Sequence, residues 1–142
     1  MTSEERARQA ADAMWQGDDA SRWFGMELID VAEGRATLAL QVEPHHCNGH
    51  GTCHGGVIFA LADSAFAFAC NSRNQKAVAQ HCIISYLEPV HSGARLIADA
   101  VEVSYRGRSG LYDIHVSNTD GDLVAEFRGM SRTIPGHHVE DM

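Results

Sequence analysis

Two hydrophobic periods alternate along the chain and predict its elements. Residues 3–17 repeat apolar positions at helical spacing, and Thr2 and Glu5 have the spacing of a capping box. Residues 36–42 alternate apolar and polar positions, which indicates a strand with one buried face. The same reasoning predicts further strands over residues 24–31, 77–88, 94–106, 109–118 and 122–133, with a hairpin turn at Asp120-Gly121.

Residues 55–71 are predicted to form a helix that is apolar on almost every side. Between Val57 and Cys70, only Asp63 and Ser64 carry polar side chains. Such a helix must be buried nearly all round. With an N-terminal helix inside residues 1–20, two strands before the apolar helix and four after it, the order favours the α+β class. We expect one domain over residues 1–142, with an antiparallel sheet wrapped around the central helix and a partner subunit covering the rest.

Composition and charge exclude several classes of protein. The net charge is −8 and Lys76 is the only lysine, which argues against a nucleic-acid-binding surface. No apolar run has the length of a membrane span, and the charged, helical N-terminus does not resemble a secretory signal. The four cysteines, too sparse for a disulfide framework, are expected to be thiols in a reducing cytoplasm: Cys47, Cys53, Cys70 and Cys82.

The chemistry is predicted to begin where the polar loop meets the apolar helix. Residues 48–56 read NGHGTCHGG, so glycines lie at the start of a buried helix and let a ligand approach the backbone. The first amides of a helix have no internal partner, and the helix dipole adds partial positive charge there. We therefore expect an oxyanion site at Gly55, a kind of contact often worth roughly 3–4 kcal/mol per donor.

Asp63 is the second candidate group, because a carboxylate in an apolar helix is costly unless it is paired or used. It follows Gly55 by eight residues, which is about 12 Å along the helix axis. That separation is too long for both groups to serve one reacting carbon. Two antiparallel copies of the helix across a two-fold axis would bring Asp63 of one chain near Gly55 of the other. We expect an active site at a homodimer interface.

These residues resemble the signature of a known family. The pattern Asn48-x-x-Gly51-x-x-His54-Gly55-Gly56, followed by Asp63, is similar to that of hotdog-fold thioesterases. More closely, NGHGTCHGG, LADSAFAFACNS, LYDIHV and AEFRGMSR resemble the PaaI-type thioesterases of phenylacetic acid degradation. The resemblance runs from the N-terminal helix to about Ile134.

The resemblance implies a hotdog fold and hydrolysis of acyl-CoA thioesters, in particular phenylacetyl-CoA or hydroxyphenylacetyl-CoA, with no cofactor. Asp63 would be the catalytic carboxylate, acting as general base or as nucleophile. Gly55 would donate its N–H to the thioester carbonyl, and Asn48 would orient the water or the carboxylate. His54 would hydrogen-bond at the carbonyl or brace the loop. Members of this group are typically homotetramers made of two hotdog dimers.

Two further sets of residues are candidates for substrate contacts. A turn holds Arg106, Arg108 and Ser109, which are expected either to be solvated or to hold the phosphates of coenzyme A. The acyl pocket is expected to draw on aromatic side chains, with Phe59, Phe66, Tyr86 and Tyr112 as candidates.

Each catalytic residue also has a purely structural interpretation. Asp63 would be a buried carboxylate capped by Asn48 or Ser64, Gly55-Gly56 would serve close packing, and His54 would satisfy backbone groups. A metal site among the loop histidines and cysteines is disfavoured, because no C-x(2–4)-C pair is present. Cys53 as a nucleophile is disfavoured too, because no third group is evidently placed to orient His54.

Two other functions fit the same fold. A non-catalytic acyl-CoA-binding module would bind its ligand without turnover and would keep its affinity in an Asp63→Asn variant. A dehydratase acting on 3-hydroxyacyl thioesters uses a similar helix. Such enzymes usually carry a histidine and an acid in a different motif, which argues against this alternative.

Overall fold

A computed structural model describes residues 1–140. Six antiparallel strands form one sheet in the order β1-β2-β4-β5-β6-β3. The strands are β1 Met26–Ala32, β2 Arg35–Gln41, β3 Gln75–Tyr86, β4 Arg95–Arg106, β5 Ser109–Asn118 and β6 Leu123–His137. The helices are α1 Ser3–Gly17, α2 Asp19–Phe24 and α3 Gly55–Cys70, with a 3₁₀ turn at Pro44–His46.

The core lies between α3 and one face of the sheet. Tyr112, Ile114 and Val116 alternate along β5 and are fully buried, as the period of two predicts. The ring of Phe66 on α3 packs against Tyr112, with ring centroids 5.6 Å apart. Gly129 makes this packing possible, because a Cβ there would lie 2.8 Å from the Phe66 ring. The predicted α+β class is confirmed, with a sheet packed on a central helix.

The segment after α1 differs from the prediction. A strand was expected over residues 24–31, but a second short helix, α2, ends at Phe24 and β1 begins at Met26. Asp18 starts α2 by accepting the Ser21 N–H at 3.0 Å, and Gly25 ends it with φ of +87°. The prediction missed α2 because its six residues are too few to show a helical period.

The two sheet edges are treated differently. Helix α1 packs against β1, whereas no described element covers the outer edge of β3. Strand β3 is twelve residues long, and its apolar side chains Val78 and Ile83 are 46% and 58% exposed. A long, open, apolar edge favours pairing with another strand.

Helix α3 is not buried on every side in the single chain. Gly56 is exposed, and Ala60, Asp63 and Ala67 are only half-buried. These four residues, spaced three or four apart, form one stripe along the helix, which we call the open stripe. The sheet therefore covers most of the helix, as predicted, and the open stripe is the part whose cover was expected from a partner subunit, which stays a prediction. Among residues 1–140, no helix is long and apolar enough to cross a membrane.

The C-terminal end of α3 is held by a dense polar network. Arg73 forms a bidentate ion pair with Glu102, whose carboxylate also accepts the Tyr112 hydroxyl at 3.1 Å. Asn74 adopts a φ of +67°, and its side chain bonds the backbone of His138 and Val139. These bonds connect the turn after α3 to the sheet and to the end of β6.

Candidate active site

The loop before α3 is organised by Asn48. Its Oδ1 atom accepts the His50 N–H at 2.9 Å, the Thr52 N–H at 3.3 Å and the Thr52 hydroxyl at 3.2 Å. Such a turn is typical of asparagine. The carbonyl oxygen of the Asn48 side chain is thus occupied by the loop. Its NH₂ group has no hydrogen-bond partner in the described part of the chain and remains free to donate.

The first turn of α3 leaves one amide free. His54 precedes the helix, and its Nδ1 atom accepts the Gly56 N–H at 2.8 Å. The His54 carbonyl accepts the N–H groups of Val57 and Ile58. Of the amides at the start of α3, only that of Gly55 has no hydrogen-bond partner among residues 1–140. A free amide at a helix N-terminus, where the dipole is positive, can bind a developing oxyanion.

Asp63 lies at the middle of α3, on the open stripe. No side chain or backbone N–H within residues 1–140 bonds its carboxylate. Ser64 instead bonds the Ser21 hydroxyl at 2.9 Å, and Asn48 is engaged in its own loop, so neither caps Asp63. Burial raises the pKa of Asp63 above its ordinary value, because no cation offsets the lost hydration.

Two cysteines share the surroundings of Asp63. Burial raises the pKa of Cys70 to about 12, and the negative charge of Asp63 adds to that shift. Burial and then Asp63 raise the pKa of Cys82 on β3 as well. Asp63 therefore faces the side of α3 that lies toward β3. Both thiols stay neutral at physiological pH and do not compete as bases.

A single chain does not bring Gly55 and Asp63 together. They lie eight residues apart on one continuous helix, which separates them by about 12 Å along its axis. Asn48 and His54 are on the Gly55 side of this gap. Thus the structure groups three of the four predicted catalytic residues at the helix start and leaves Asp63 apart from them.

A cavity of about 320 Å³ opens beside Gly55. Its lining includes Thr52, Ile58, Tyr86, Leu87 and Val90. Of the four aromatic residues expected at the acyl pocket, only Tyr86 lines this cavity, since Phe66 and Tyr112 are fully buried in the core and Phe59 packs on Phe127. The sequence placed Tyr86 at the end of a strand but offered no signal that it meets the start of α3.

The predicted phosphate-binding residues lie on the turn between β4 and β5. Arg106, Arg108 and Ser109 are all exposed, and neither guanidinium group bonds another residue in the described chain. The turn lies beyond Gly110, next to Tyr112 and therefore near the C-terminal half of α3. In one chain, this is the far end of the helix from Gly55.

The cysteine and metal alternatives find little support in this geometry. Cys53 is buried, and burial followed by the charge of Cys47 raises the pKa of Cys53 to about 11. A neutral buried thiol is a poor nucleophile. Within residues 1–140, no three groups among histidine, cysteine, aspartate and glutamate are close enough to hold one metal ion.

Residues 50–125 match the thioesterase superfamily. The chain belongs to this family. It is 42% identical over 132 residues to acyl-coenzyme A thioesterase PaaI of Escherichia coli (strain K12), covering 92% of this chain and 94% of that protein. The fold of the present chain also superposes on the structure of the E. coli PaaI protein from the phenylacetic acid degradation operon, with a TM-score of 0.94. The two sequences are 40% identical in this superposition, which covers 96% of the present chain and 99% of the E. coli chain.

A second solved structure extends the comparison. A mutant of phenylacetic acid degradation protein PaaI from Thermus thermophilus matches with a TM-score of 0.78 at 41% identity, over 80% of this chain and 97% of that one. Together, these similarities confirm the predicted hotdog fold and the predicted enzyme class, an acyl-CoA thioesterase.

Proposed function

We propose that this thioesterase hydrolyses phenylacetyl-CoA or a hydroxyphenylacetyl-CoA to the free acid and coenzyme A. The Gly55 N–H binds the thioester carbonyl, and Asp63 acts as general base or nucleophile. His54 braces the first turn of α3, and Asn48 orients the water or the carboxylate through its free NH₂ group. The observation that carries the proposal is the free Gly55 amide at the start of a buried helix.

The general-base route needs only these groups. Asp63 removes a proton from water, and the oxygen of that water attacks the thioester carbon. The carbonyl electrons move to oxygen, where the Gly55 N–H stabilises the negative charge. The intermediate then collapses, the carbon–sulfur bond breaks, and protonated Asp63 returns the proton to the thiolate of coenzyme A. In the nucleophilic route, the Asp63 carboxylate attacks the carbon itself, and the carbon–sulfur bond breaks to release the thiolate of coenzyme A. Water then hydrolyses the mixed anhydride to the free acid and the Asp63 carboxylate, and the proton released from water goes to the thiolate.

Both routes need a second chain, since about 12 Å separates Gly55 and Asp63 along one helix. We infer that two α3 helices lie antiparallel with their open stripes in contact. Three of the four residues of the open stripe, Gly56, Ala60 and Ala67, are small and allow the two helices to approach closely. Pairing of the two open β3 edges would continue the sheet across the same interface. Asp63 at the centre of the stripe would then face the partner's Gly55.

The same arrangement gives the exposed arginines a role. Antiparallel helices bring the C-terminal end of α3, and with it the turn of Arg106, Arg108 and Ser109, toward the partner's loop. The two free guanidinium groups would bind phosphates of coenzyme A there. We further propose that two such dimers form a tetramer in the cytoplasm, as the resemblance to PaaI-type thioesterases implies.

The experiment that tests this proposal follows the loss of thioester absorbance with phenylacetyl-CoA. We expect wild type to turn over, and Asp63→Asn to lose about a hundredfold or more in kcat, the scale of removing an acid–base group. Asp99→Asn is the matched control, because Asp99 is an exposed carboxylate on β4, outside α3 and its preceding loop, and accepts a hydrogen bond from the Thr37 hydroxyl. It should retain wild-type kcat.

Two outcomes would overturn the proposal. An Asp63→Asn variant as active as wild type would remove Asp63 from the chemistry. A wild-type enzyme that hydrolyses straight-chain acyl-CoA but neither arylacetyl substrate would reject the proposed substrate and keep the enzyme class.

A further inference from the structure

Tyr86 contacts the first peptide group of α3 in a way that packing alone does not require. It is the last residue of β3, and its hydroxyl donates to the Gly55 carbonyl at 2.7 Å. Its ring covers the Cα atom of Gly55, since a Cβ there would lie 3.1 Å from the ring carbon that carries the hydroxyl. The Tyr86 side chain therefore holds the carbonyl of Gly55 and also covers its Cα atom, while the N–H of the same residue stays free.

The hydrogen bond continues through the peptide to His54. The Gly55 carbonyl and the Gly56 N–H belong to one peptide group, and that N–H donates to His54 Nδ1 at 2.8 Å. Hydrogen bonds in such a chain polarise and strengthen one another. Because Nδ1 accepts, neutral His54 carries its proton on Nε2. The exposed imidazole thus presents an N–H donor rather than an acceptor.

We propose that Tyr86 is a positioning residue of the thioester carbonyl site, in which its hydroxyl anchors the Gly55–Gly56 peptide, aligns the free Gly55 N–H and holds His54 as the Nε2–H tautomer. The role rests on the proposed function, because alignment matters only if a carbonyl binds at Gly55. Burial raises the pKa of Tyr86, so the phenol stays protonated and keeps its proton for this bond at neutral pH.

A packing role and a positioning role differ in what Tyr86→Phe should change. Phenylalanine keeps the ring over Gly55 and removes only the hydroxyl. If Tyr86 is a positioning residue, kcat for phenylacetyl-CoA falls about 3- to 10-fold, the range of one neutral hydrogen bond, while KM stays close to wild type. Tyr105→Phe is the matched control, because the Tyr105 ring packs on Arg73 at the other end of α3. It should leave kcat unchanged.

NMR provides a readout that does not depend on turnover. The Gly56 amide ¹⁵N shift reports hydrogen bonding at the Gly55 carbonyl, and the two His54 ring ¹⁵N shifts report its tautomer. We expect Tyr86→Phe to move the Gly56 signal and to weaken the preference of His54 for Nε2–H. Tyr105→Phe should move neither signal.

The two readouts separate the failure of this proposal from that of the proposed function. Unchanged kcat in Tyr86→Phe, with wild type active, would overturn the positioning role. If wild type hydrolysed no acyl-CoA, the proposed function would fail, and NMR would still decide whether Tyr86 controls His54. Unchanged Gly56 and His54 signals in Tyr86→Phe would then reject that control.

Discussion

The two ends of α3 differ in whether their polar groups have hydrogen-bond partners within the chain. At the N-terminal end, the Gly55 N–H has no partner among residues 1–140, and the Asp63 carboxylate at the middle of the helix has none there either. At the C-terminal end, the Asn71 side chain bonds the Ala67 and Ala77 carbonyls and the Ala77 N–H. Arg73 is held by two glutamates and lies 4.5 Å from the ring of Tyr105.

The carboxylates of Glu102 and Asp63 differ in the same way, in their hydrogen bonds and in the direction of their pKa shifts. Glu102 accepts bonds from Arg73 and Tyr112, and the Arg73 hydrogen bond lowers the pKa of Glu102. Asp63 has no such donors in the described chain, and burial raises its pKa. A polar group whose hydrogen bonds are all made within the chain stabilises the fold, whereas a polar group without such partners is available to a ligand. We infer that the C-terminal end of α3 stabilises the fold, whereas its start at Gly55 and its middle at Asp63 are available for chemistry.

The largest expected effect on stability comes from breaking the network at the C-terminal end. Arg73→Met leaves Glu102 without its cation, although the Glu102 side chain is only 21% exposed. The free energy of unfolding should fall by about 2–3 kcal/mol, the range for hydrogen bonds to charged groups, while the folded protein keeps its kcat. Urea denaturation followed by circular dichroism measures this loss.

The control for this variant is Arg128→Met. Arg128 makes an equally bidentate pair with Asp113, but on the exposed face of the sheet. Exposed pairs contribute little, so this change should hardly alter the unfolding midpoint. Equal losses in the two variants would contradict the special role of the network.

A smaller effect is expected at Asn74, where backbone strain and hydrogen bonds combine. Its φ of +67° favours glycine, and its side chain makes three bonds to the backbone of residues 138 and 139. Asn74→Gly loses the bonds and relieves the strain, whereas Asn74→Ala loses the bonds and keeps the strain. Alanine should therefore be the less stable by about 1 kcal/mol in urea denaturation. An alanine variant as stable as the glycine variant would show that φ is not constrained there.

The smallest expected effects are pH-dependent and of opposite sign for the two carboxylates. Folding raises the pKa of Asp63. The contribution of this group to the free energy of unfolding is therefore present at low pH and is lost as pH rises through the pKa of the folded state. Folding lowers the pKa of Glu102, so its contribution is present above the ordinary glutamate pKa and is lost as pH falls through the folded pKa.

Melting temperatures at two pH values test these signs. Asp63→Asn should melt above wild type at pH 7, and the gain should shrink toward pH 4. Glu102→Gln should melt below wild type at pH 7, and that loss should also shrink in acid. An Asp63→Asn variant that melts below wild type at neutral pH would mean that the carboxylate has a stabilising partner.

Much of the fold could be predicted from periodicity, because β5 alternates buried residues with more exposed ones and the central helix is the longest apolar run. Helix α2 could not, because six residues between Asp18 and Gly25 are fixed by capping bonds rather than by a hydrophobic period. The Arg73–Glu102 pair was equally hidden, since its residues lie 29 positions apart and meet only through the sheet.

The candidate site was predictable where its chemistry is local. Glycines at a helix start and a lone carboxylate in an apolar helix are visible in the sequence, and they indicated Gly55 and Asp63. The bond from Tyr86 to Gly55 joins residues 31 positions apart, so only the folded chain shows it. The roles of Asp63, Gly55, Asn48 and His54 stay predictions until they are measured.

The central claim is that each active site takes Gly55 from one chain and Asp63 from the other. Two inactive variants test it when they are expressed together in equal amounts. Asp63→Asn lacks the carboxylate. Gly55→Pro lacks the free N–H, and proline is accepted by the backbone at the first position of a helix. Its Cβ would lie 3.1 Å from the Tyr86 ring, and that half-exposed ring must shift slightly to make room. Half of the randomly formed dimers are mixed, and each mixed dimer has one site without a lesion.

The mixture should therefore regain about one quarter of the wild-type rate with phenylacetyl-CoA, although each variant alone is nearly inactive. Recovery would also show that both variants fold and associate. A mixture no more active than its two parents, although mixed dimers are detected by mass spectrometry, would contradict a site shared between chains.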